Sequence, residues 1–466
     1  MLLKHGFTWK IVTTRMTAKL LRVMLQDSAH IHEQEAEWQN RKGKRSGQAP
    51  VEPLYTVADA LAAVDAITTC EYHQVMELYP GITAEFVDAG HLLGSACIIL
   101  TVTEGTETRK IVFSGDLGNI KQPIIRDPSY IAGADYVVME STYGDRNHGE
   151  GWSYTDDLAK IIDETIARGG NVIIPSFAVG RTQELLYFIR EIKDQGLVKS
   201  NPDFPVYIDS PLAREATEIF VGDLRGYLDE EALELVADGT HMFNFSNLRM
   251  TTGAEDSKAL NTDQTPKVII SASGMSDAGR IRHHLKHNLW RPECTVVFVG
   301  FQGEGTLGRH LLEGAATVKL FGEEIAVRAR LVNYNGLSSH ADRNHLIEWV
   351  QGFTEQKPQH IFVVHGDREV APYFAKTLTD LGYSAHAPQY TEEYDLIDCR
   401  QLKVGYLPER KPRSFEGAPR SSSAYQRLVA VGQLMTEFIR RSKGRDNKTL
   451  AKFADQLKAL LDKWEA

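Results

Sequence analysis

Five ionisable residues stand where the sequence predicts that strands stop: His91, Asp116, Glu140 and His365 at strand ends, and His340 in a loop just after one. Strand ends are where α/β proteins mount their chemistry, because the sheet fixes geometry while the loop beyond gives access. Taken singly, each reads more simply as a turn or a hydrogen-bonded core residue, and SGDLG around Asp116 fits a type I turn. Together they offer imidazole and carboxylate donors without a thiolate, the ligand set of a catalytic zinc site with positions open to water. Such a metal brings the pKa of bound water toward ~7, and two ions can hold both oxygens of a phosphodiester displacement, so the chemistry indicated is hydrolysis.

A second constellation consists of three strand-loop-helix joints ending in Gly180-Arg181, Gly279-Arg280 and Gly308-Arg309. Glycine permits close backbone approach, a helix N-terminus favours an anion, and arginine can grip phosphate with two hydrogen bonds. The plainer reading is a set of helix starts whose arginines pair with nearby acids. The segment from Arg280 to Arg291 carries Arg280, Arg282, Lys286 and Arg291 with three histidines and no acid, which suits a phosphate chain and equally a solvated helix face.

The elements that must position these residues follow from hydrophobic periodicity. A helix is expected from Thr14 to Trp38, a loop from Asn40 to Pro53, and a second helix from Val57 to about Ile67. ITAEFVDAGH then reads as a strand ending at His91, CIILTV and RKIVFSGD as a hairpin, and DYVVME as a strand ending at Glu140. From Trp152 strands alternate with helices, which argues for a parallel sheet flanked by helices. A polar loop is expected from Thr251 to Pro266, AVRARLV as one strand, HLIEWVQGF as a helix, HIFVVHGD as a strand ending near His365, and EVAPYFAKTLTDLG as a helix. Residues 408–423 have linker composition, and an amphipathic helical tail follows.

Composition sets outer bounds. A chain of 466 residues can bury a large core, and its net charge of −10 excludes a uniformly basic coat. That charge is uneven: residues 401–466 carry a surplus of seven positive charges, leaving the body at −17. An acidic body with a basic tail is compatible with a nucleic-acid substrate met in a local groove. Cys70, Cys97, Cys294 and Cys399 form no C-x-x-C pair, which fits neither a disulfide framework nor a thiolate metal site and points to a reducing cytoplasm. The N-terminus lacks the apolar core of a signal peptide, and no membrane span is expected.

With these motifs in view, the chain resembles the β-CASP branch of the metallo-β-lactamase superfamily, in particular bacterial ribonucleases similar to the pre-mRNA cleavage and polyadenylation endonuclease. DAGHLLGSA and SGDLG match metal motifs of the family; MESTYGDR, SSHAD and VVHGD look like its motifs A, B and C. The resemblance implies an α/β, four-layer αββα metallo-β-lactamase fold with an inserted Rossmann-like β-CASP domain. The implied layout is 1–151 first metallo-β-lactamase part, 152–335 β-CASP, 336–408 returning part, and 409–466 linker and basic helical tail.

It also implies roles. His91, Asp116 and His365 would be zinc ligands, with the aspartate between two ions; Glu140 would orient a ligand histidine; His340 would contact the scissile phosphate and steady the leaving group. PSFAVGRTQELL, SGMSDAGRIRHHL and GFQGEGTLGR are similar to strings lining the family's RNA groove, which makes Ser176, Arg181, Ser273, Arg280, Arg309 and Ser338 candidate substrate contacts. RNA is the implied partner, and homodimerisation is implied by resemblance alone.

One departure stands out. The family string HxHxDH, which supplies most of the zinc ligands, is absent from this sequence, and the first residues resemble the segment that follows it. Three origins fit this expectation, a start at an internal methionine, which is favoured, a broken gene, or a genuine short form that keeps the RNA-binding half; in each the first core strands are missing and three ligands stand where the family uses about seven. The leading reading is a zinc-dependent ribonuclease whose competence as written is in question. Its rivals are a non-catalytic RNA-binding scaffold and a metallo-hydrolase acting on a small molecule.

Overall fold

The computed structural model describes residues 1–44, 47, 49–149, 153–239, 241–334 and 338–408, with 439, 450, 451, 453–456 and 458 beyond them. The linker and nearly all of the helical tail expected after residue 408 lie outside the described residues. Residues Met1–Glu409 form one unit and Arg410–Ala466 another.

The chain opens with a short 3₁₀ turn, then β1 (Ile11–Thr14), α1 (Arg15–Lys44), α2 (Val57–Asp65), β2 (Ile67–Cys70), β3 (Met76–Tyr79), β4 (Ile82–Asp88), β5 (Ala96–Glu104), β6 (Glu107–Phe113) and β7 (Tyr136–Met139). Next come α3 (Tyr154–Ala167), β8 (Val172–Pro175), α4 (Arg181–Asp194), β9 (Val206–Ile208), α5 (Pro211–Phe220), α6 (Glu230–Ala237), β10 (Leu248–Met250), α7 (Ala254–Thr262), β11 (Val268–Ser271), α8 (Ile281–Asn288), β12 (Thr295–Phe298) and α9 (Leu307–Leu312). The described body closes with β13 (Thr317–Leu320), β14 (Glu323–Ala326), β15 (Arg330–Asn333), α10 (Arg343–Gln351), β16 (His360–Val363), α11 (Val370–Asp380), β17 (Ala385–His386), β18 (Glu393–Asp395) and β19 (Arg400–Lys403).

Two large sheets organise this α/β chain. The first runs β17-β16-β7-β6-β5-β4-β3, parallel from β17 to β6 and antiparallel from β6 to β3. One face carries Ile99, Val112, Val137 and Ile361 against Trp349 and Val350 of α10 and Phe374 and Leu378 of α11. On the other face a small cluster of Cys70, Ala84 and Phe86 joins the sheet to the parallel pair β1-β2, beyond which α1 and α2 lie. The order of layers is helix, sheet, sheet, helix, the smaller of these sheets being the pair β1-β2 among the described residues.

The second sheet, β10-β9-β11-β8-β12-β15, is wholly parallel. Its inner strands β9, β11, β8 and β12 are buried on both faces, as helices on both sides require. Successive residues go opposite ways: Val172, Ile174, Ile208 and Ile270 face α3, α4 and α5, whereas Ile173, Tyr207 and Ile269 face α8 and α9.

Several sequence expectations need correcting. Thr14 closes a strand, not opens a helix, and α1 continues past Asn40 to Lys44. Ala29, Ala36 and Gly43, seven apart, are buried along it, and the Asn40 amide holds the return chain by two hydrogen bonds to Val51. The polar stretch from Thr251 to Pro266 contains α7, because the Asp256 carboxylate accepts from the Thr252 and Gly253 amides while Ser257 and Leu260 turn inward. AVRARLV divides between β14 and β15, since the amides of Arg328 and Ala329 both donate to Leu289 O and leave the strand direction. No described helix is long and apolar enough to cross a membrane.

Candidate metal centre and its apolar chamber

Each strand that carries a candidate residue ends before reaching it. β4 stops at Asp88, β6 at Phe113, β7 at Met139 and β16 at Val363, so His91, Asp116, Glu140 and His365 occupy the loops just beyond. The sheet aligns these loops, and backbone bonds between them do the rest: the Gly118 amide donates to Ala89 O at 2.8 Å, Asn119 to Ser339 O at 2.9 Å, and Ala341 to Leu117 O at 2.8 Å. A Cβ on Gly118 would lie 1.8 Å from Gly90 O, so the loops holding His91 and Asp116 approach as closely as backbone allows.

His91 is buried, and its Nδ1 lies 3.1 Å from Ser339 O. A carbonyl only accepts, so Nδ1 carries the proton and Nε2 presents a lone pair. That lone pair faces Asp116 Oδ2 at 3.8 Å, while Asp116 Oδ1 stands 3.3 Å from His365 Nε2. Burial first, then the neighbouring His340, depresses the His91 pKa to about 4, which keeps the ring neutral. Two acceptors facing each other across this gap leave room for a cation.

Glu140 is fully buried. Its Oε1 accepts from the Leu117 amide at 2.6 Å and from His340 Nδ1 at 3.0 Å, and its Oε2 accepts from the Thr142 amide at 3.1 Å. Burial opposes its ionisation, yet the bonds from His340 and Thr142 outweigh burial and hold the carboxyl below its usual range. Burial likewise works against the His340 imidazolium, and the Glu140 carboxylate overcomes it, so the His340 pKa is raised. The His340 ring is 4.5 Å from that of His91.

Among the described residues His91, Asp116 and His340 are the one group of three whose donor atoms could surround a metal ion, all lying within 4.8 Å of one another. The donor chemistry fits a divalent cation: two imidazoles with the remote nitrogen anchored on a carbonyl or a carboxylate, and one half-exposed carboxylate between histidines. His340, expected at the phosphate, thus lies within the donor cluster. His365, expected as a ligand, is exposed, has φ 47°, and reaches the centre through Asp116.

Above these groups opens a chamber of about 430 Å³ with largely apolar walls. Of the candidate substrate contacts, Arg181, Ser273 and Ser338 line it. Arg181 starts α4, pairs with Glu184 in the interior and donates to Ser339 Oγ at 3.2 Å. The other three are placed elsewhere. Ser176 is buried behind the chamber, with its hydroxyl on Phe177 O and Thr182. Arg280 binds Asp209 at 2.7 Å. Arg309 lies inside α9, not at its start, which Thr306 caps, and it pairs on the surface with Glu313 at 2.7 Å. Most of the cationic stretch after Arg280 is also spoken for: Lys286 pairs with Glu323, Arg291 with Glu293 and His284 with Asp209, while Arg282 lies over the Phe321 ring. The plainer reading, pairing with an acid, holds for Arg181, Arg280 and Arg309 alike, and Arg181 alone of the three also lines the chamber.

Sequence reasoning missed Ser339, Tyr143 and His148. Ser339 acts through its carbonyl, which no residue type reveals. His148 Nε2 donates to His340 O at 2.9 Å, and Tyr143 packs on His148 with ring centres 4.6 Å apart. Tyr143 stood within a quoted motif, but a tyrosine beside glycine carries no signal of its own.

Comparison with known proteins agrees with this geometry. Residues 182–311 match the Beta-Casp domain family, and residues 324–388 match the Zn-dependent metallo-hydrolase RNA specificity domain. Over 391 residues the chain is 33% identical to the Thermus thermophilus protein named Ribonuclease TTHA0252, covering 84% of this chain and 83% of that one. It is 32% identical over 327 residues to an RNase J-like protein of Methanocaldococcus jannaschii, covering 70% and 73%. A Thermococcus kodakarensis protein named Transcription termination factor FttA is 29% identical over 389 residues, 82% of this chain and 55% of that one.

Proposed function

The chain belongs to the β-CASP branch of the metallo-β-lactamase superfamily of metallo-hydrolases, and from that premise we propose that it is a ribonuclease hydrolysing RNA phosphodiester bonds with the aid of zinc. The observation that carries this reading is the pair of acceptors facing each other, His91 Nε2 and Asp116 Oδ2, 3.8 Å apart, with His91 also lining the chamber. His91, Asp116 and His340 would hold one ion, and His365 with Asp116 would share a second. A bound cation there supplies Lewis-acid polarisation of a phosphoryl oxygen and of water. Glu140 fixes the ring of His340 through Nδ1, which leaves Nε2 turned to the ion and the phosphate beside it. Arg181, already neutralised in part by Glu184, adds a donor at the chamber wall. The four free cysteines support a reducing compartment, the cytoplasm in this reading, and a homodimer completes it by resemblance, open to light scattering.

The test is incubation of end-labelled RNA with the full chain and zinc. Cleavage by the wild type and none by His340→Ala is the expected result; equal cleavage by both would attribute the activity to a contaminant and remove the proposal. A second reading, an RNA-binding protein without turnover, is favoured by the donor count: the described residues bring three donors together, and the sequence lacks HxHxDH. Clearly less than one zinc per chain, with RNA binding that persists in EDTA and no cleavage, would select it.

A further inference from the structure

We propose that the chamber beside His91 and His340 receives one nucleobase of the RNA, lifted out of its stack and laid against Phe177. The inference rests on RNA being the ligand and adds how a single nucleotide is held there. Its walls include Phe177, Leu212, Met275 and Phe301, whereas His340 and Arg181 lie toward the polar end. Apolar walls give nothing to a phosphate or a ribose, but every base has a π-face that an aromatic ring can meet. The polar end matches the phosphate attached to that base, so one nucleotide satisfies both halves of the chamber.

Phe177 is built as a platform. It is 44% exposed although it lines a cavity. Its carbonyl accepts from Thr182 Oγ1 at 2.7 Å and from Ser176 Oγ at 3.2 Å, which fixes the backbone from which the ring projects. The ring is backed by Gly274, where a Cβ would come within 2.9 Å of it; only a residue without a side chain lets the ring rest in this place. This also gives buried Ser176 a role, as a support for the platform and not as a contact to RNA. Across the chamber Phe301 meets Tyr143 edge-on at 6.0 Å, and Tyr143 lies 6.5 Å from His340. The wall and the reacting end are thus one packed unit, which places a base in the chamber next to the phosphate at the histidines.

The experiment uses the full chain in EDTA, where no cleavage interferes, and single-stranded oligoribonucleotides carrying 2-aminopurine at one position at a time. Quenching at one position, together with about tenfold weaker binding by Phe177→Leu and near-normal binding by Phe177→Tyr, is the expected result. Gly274→Ala serves as a second variant: it keeps the phenyl ring but displaces it, and should lose the quenching, with melting curves confirming that it folds. Tight binding with unchanged fluorescence at every position, or equal binding of a duplex and a single strand, would overturn the base chamber while leaving the RNA reading in place. No binding of any RNA would overturn both.

Discussion

Replacing Asp209 by asparagine tests how the chamber walls are held. Asp209, at the end of β9, is completely buried, and its carboxylate accepts four side-chain hydrogen bonds. Oδ1 receives Thr251 Oγ1 at 2.5 Å and Arg280 Nη1 at 2.7 Å; Oδ2 receives Ser257 Oγ at 2.5 Å and His284 Nε2 at 2.6 Å. Every partner is a donor, so the amide of asparagine would aim its own N–H groups at one side of the set and remove the charge that compensates Arg280. Breaking a buried pair by neutralising one partner costs roughly 3–5 kcal/mol. For a domain of roughly 150–250 residues that is a fall in melting temperature of about 6–20 °C. The hub joins β9, the chain after β10 and the start of α8, so Leu212, Ser273 and Met275 should loosen with it, and RNA affinity should fall as well. Because these hydrogen bonds prevail over burial, the folded Asp209 carboxyl titrates well below its ordinary 3.8. Its contribution is therefore fully present above pH ~4 and lost only as pH falls toward the depressed folded value, so the gap between wild type and variant should narrow in strong acid. Urea unfolding by circular dichroism at several pH values reads both quantities. A variant within about 1 kcal/mol of wild type at neutral pH would refute the reasoning.

Gly118→Ala should force apart the loops bearing His91 and Asp116, since its Cβ has no room beside Gly90 O; a loss of roughly 1–3 kcal/mol is expected, with zinc uptake by calorimetry falling further than stability alone explains. His360, buried beside His386, titrates near 4 instead of 6.5, first through burial and then through that neighbour. The unfolded chain takes up this proton first, so the melting temperature should decline as pH drops from about 6.5 to about 4, and His360→Gln should flatten that slope in differential scanning calorimetry. Arg309→Ala should change stability by less than ~0.5 kcal/mol and leave RNA affinity in a filter-binding assay untouched, because among the described residues its side chain makes one exposed pair, with Glu313. Arg181→Ala, which strands Glu184 in the interior, should lower both.

What sequence determined on its own was the five ionisable residues that the fold gathers at the strand ends and the alternation of the wholly parallel sheet. His91, Asp116, Glu140, His340 and His365 announced themselves by type and by position after strands, because period-two apolar runs and the turns that end them are local properties. The apolar strands β8, β11 and β12 with helices between them required a covered parallel sheet for the same reason. Tertiary structure decided which acid each arginine meets. Arg181, Arg280 and Arg309 look alike in sequence, yet Asp209, just past a strand and 71 residues away, claims Arg280, while acids three and four residues on claim Arg181 and Arg309. It alone decided that Glu140 serves His340, a partner 200 residues distant, and that the anchor of His91 is a backbone carbonyl of Ser339. The physical reason is that hydrogen bonds and ion pairs are fixed by distance in space, which the sheet sets by bringing loop ends together, whereas sequence records only the donors and acceptors available to be paired.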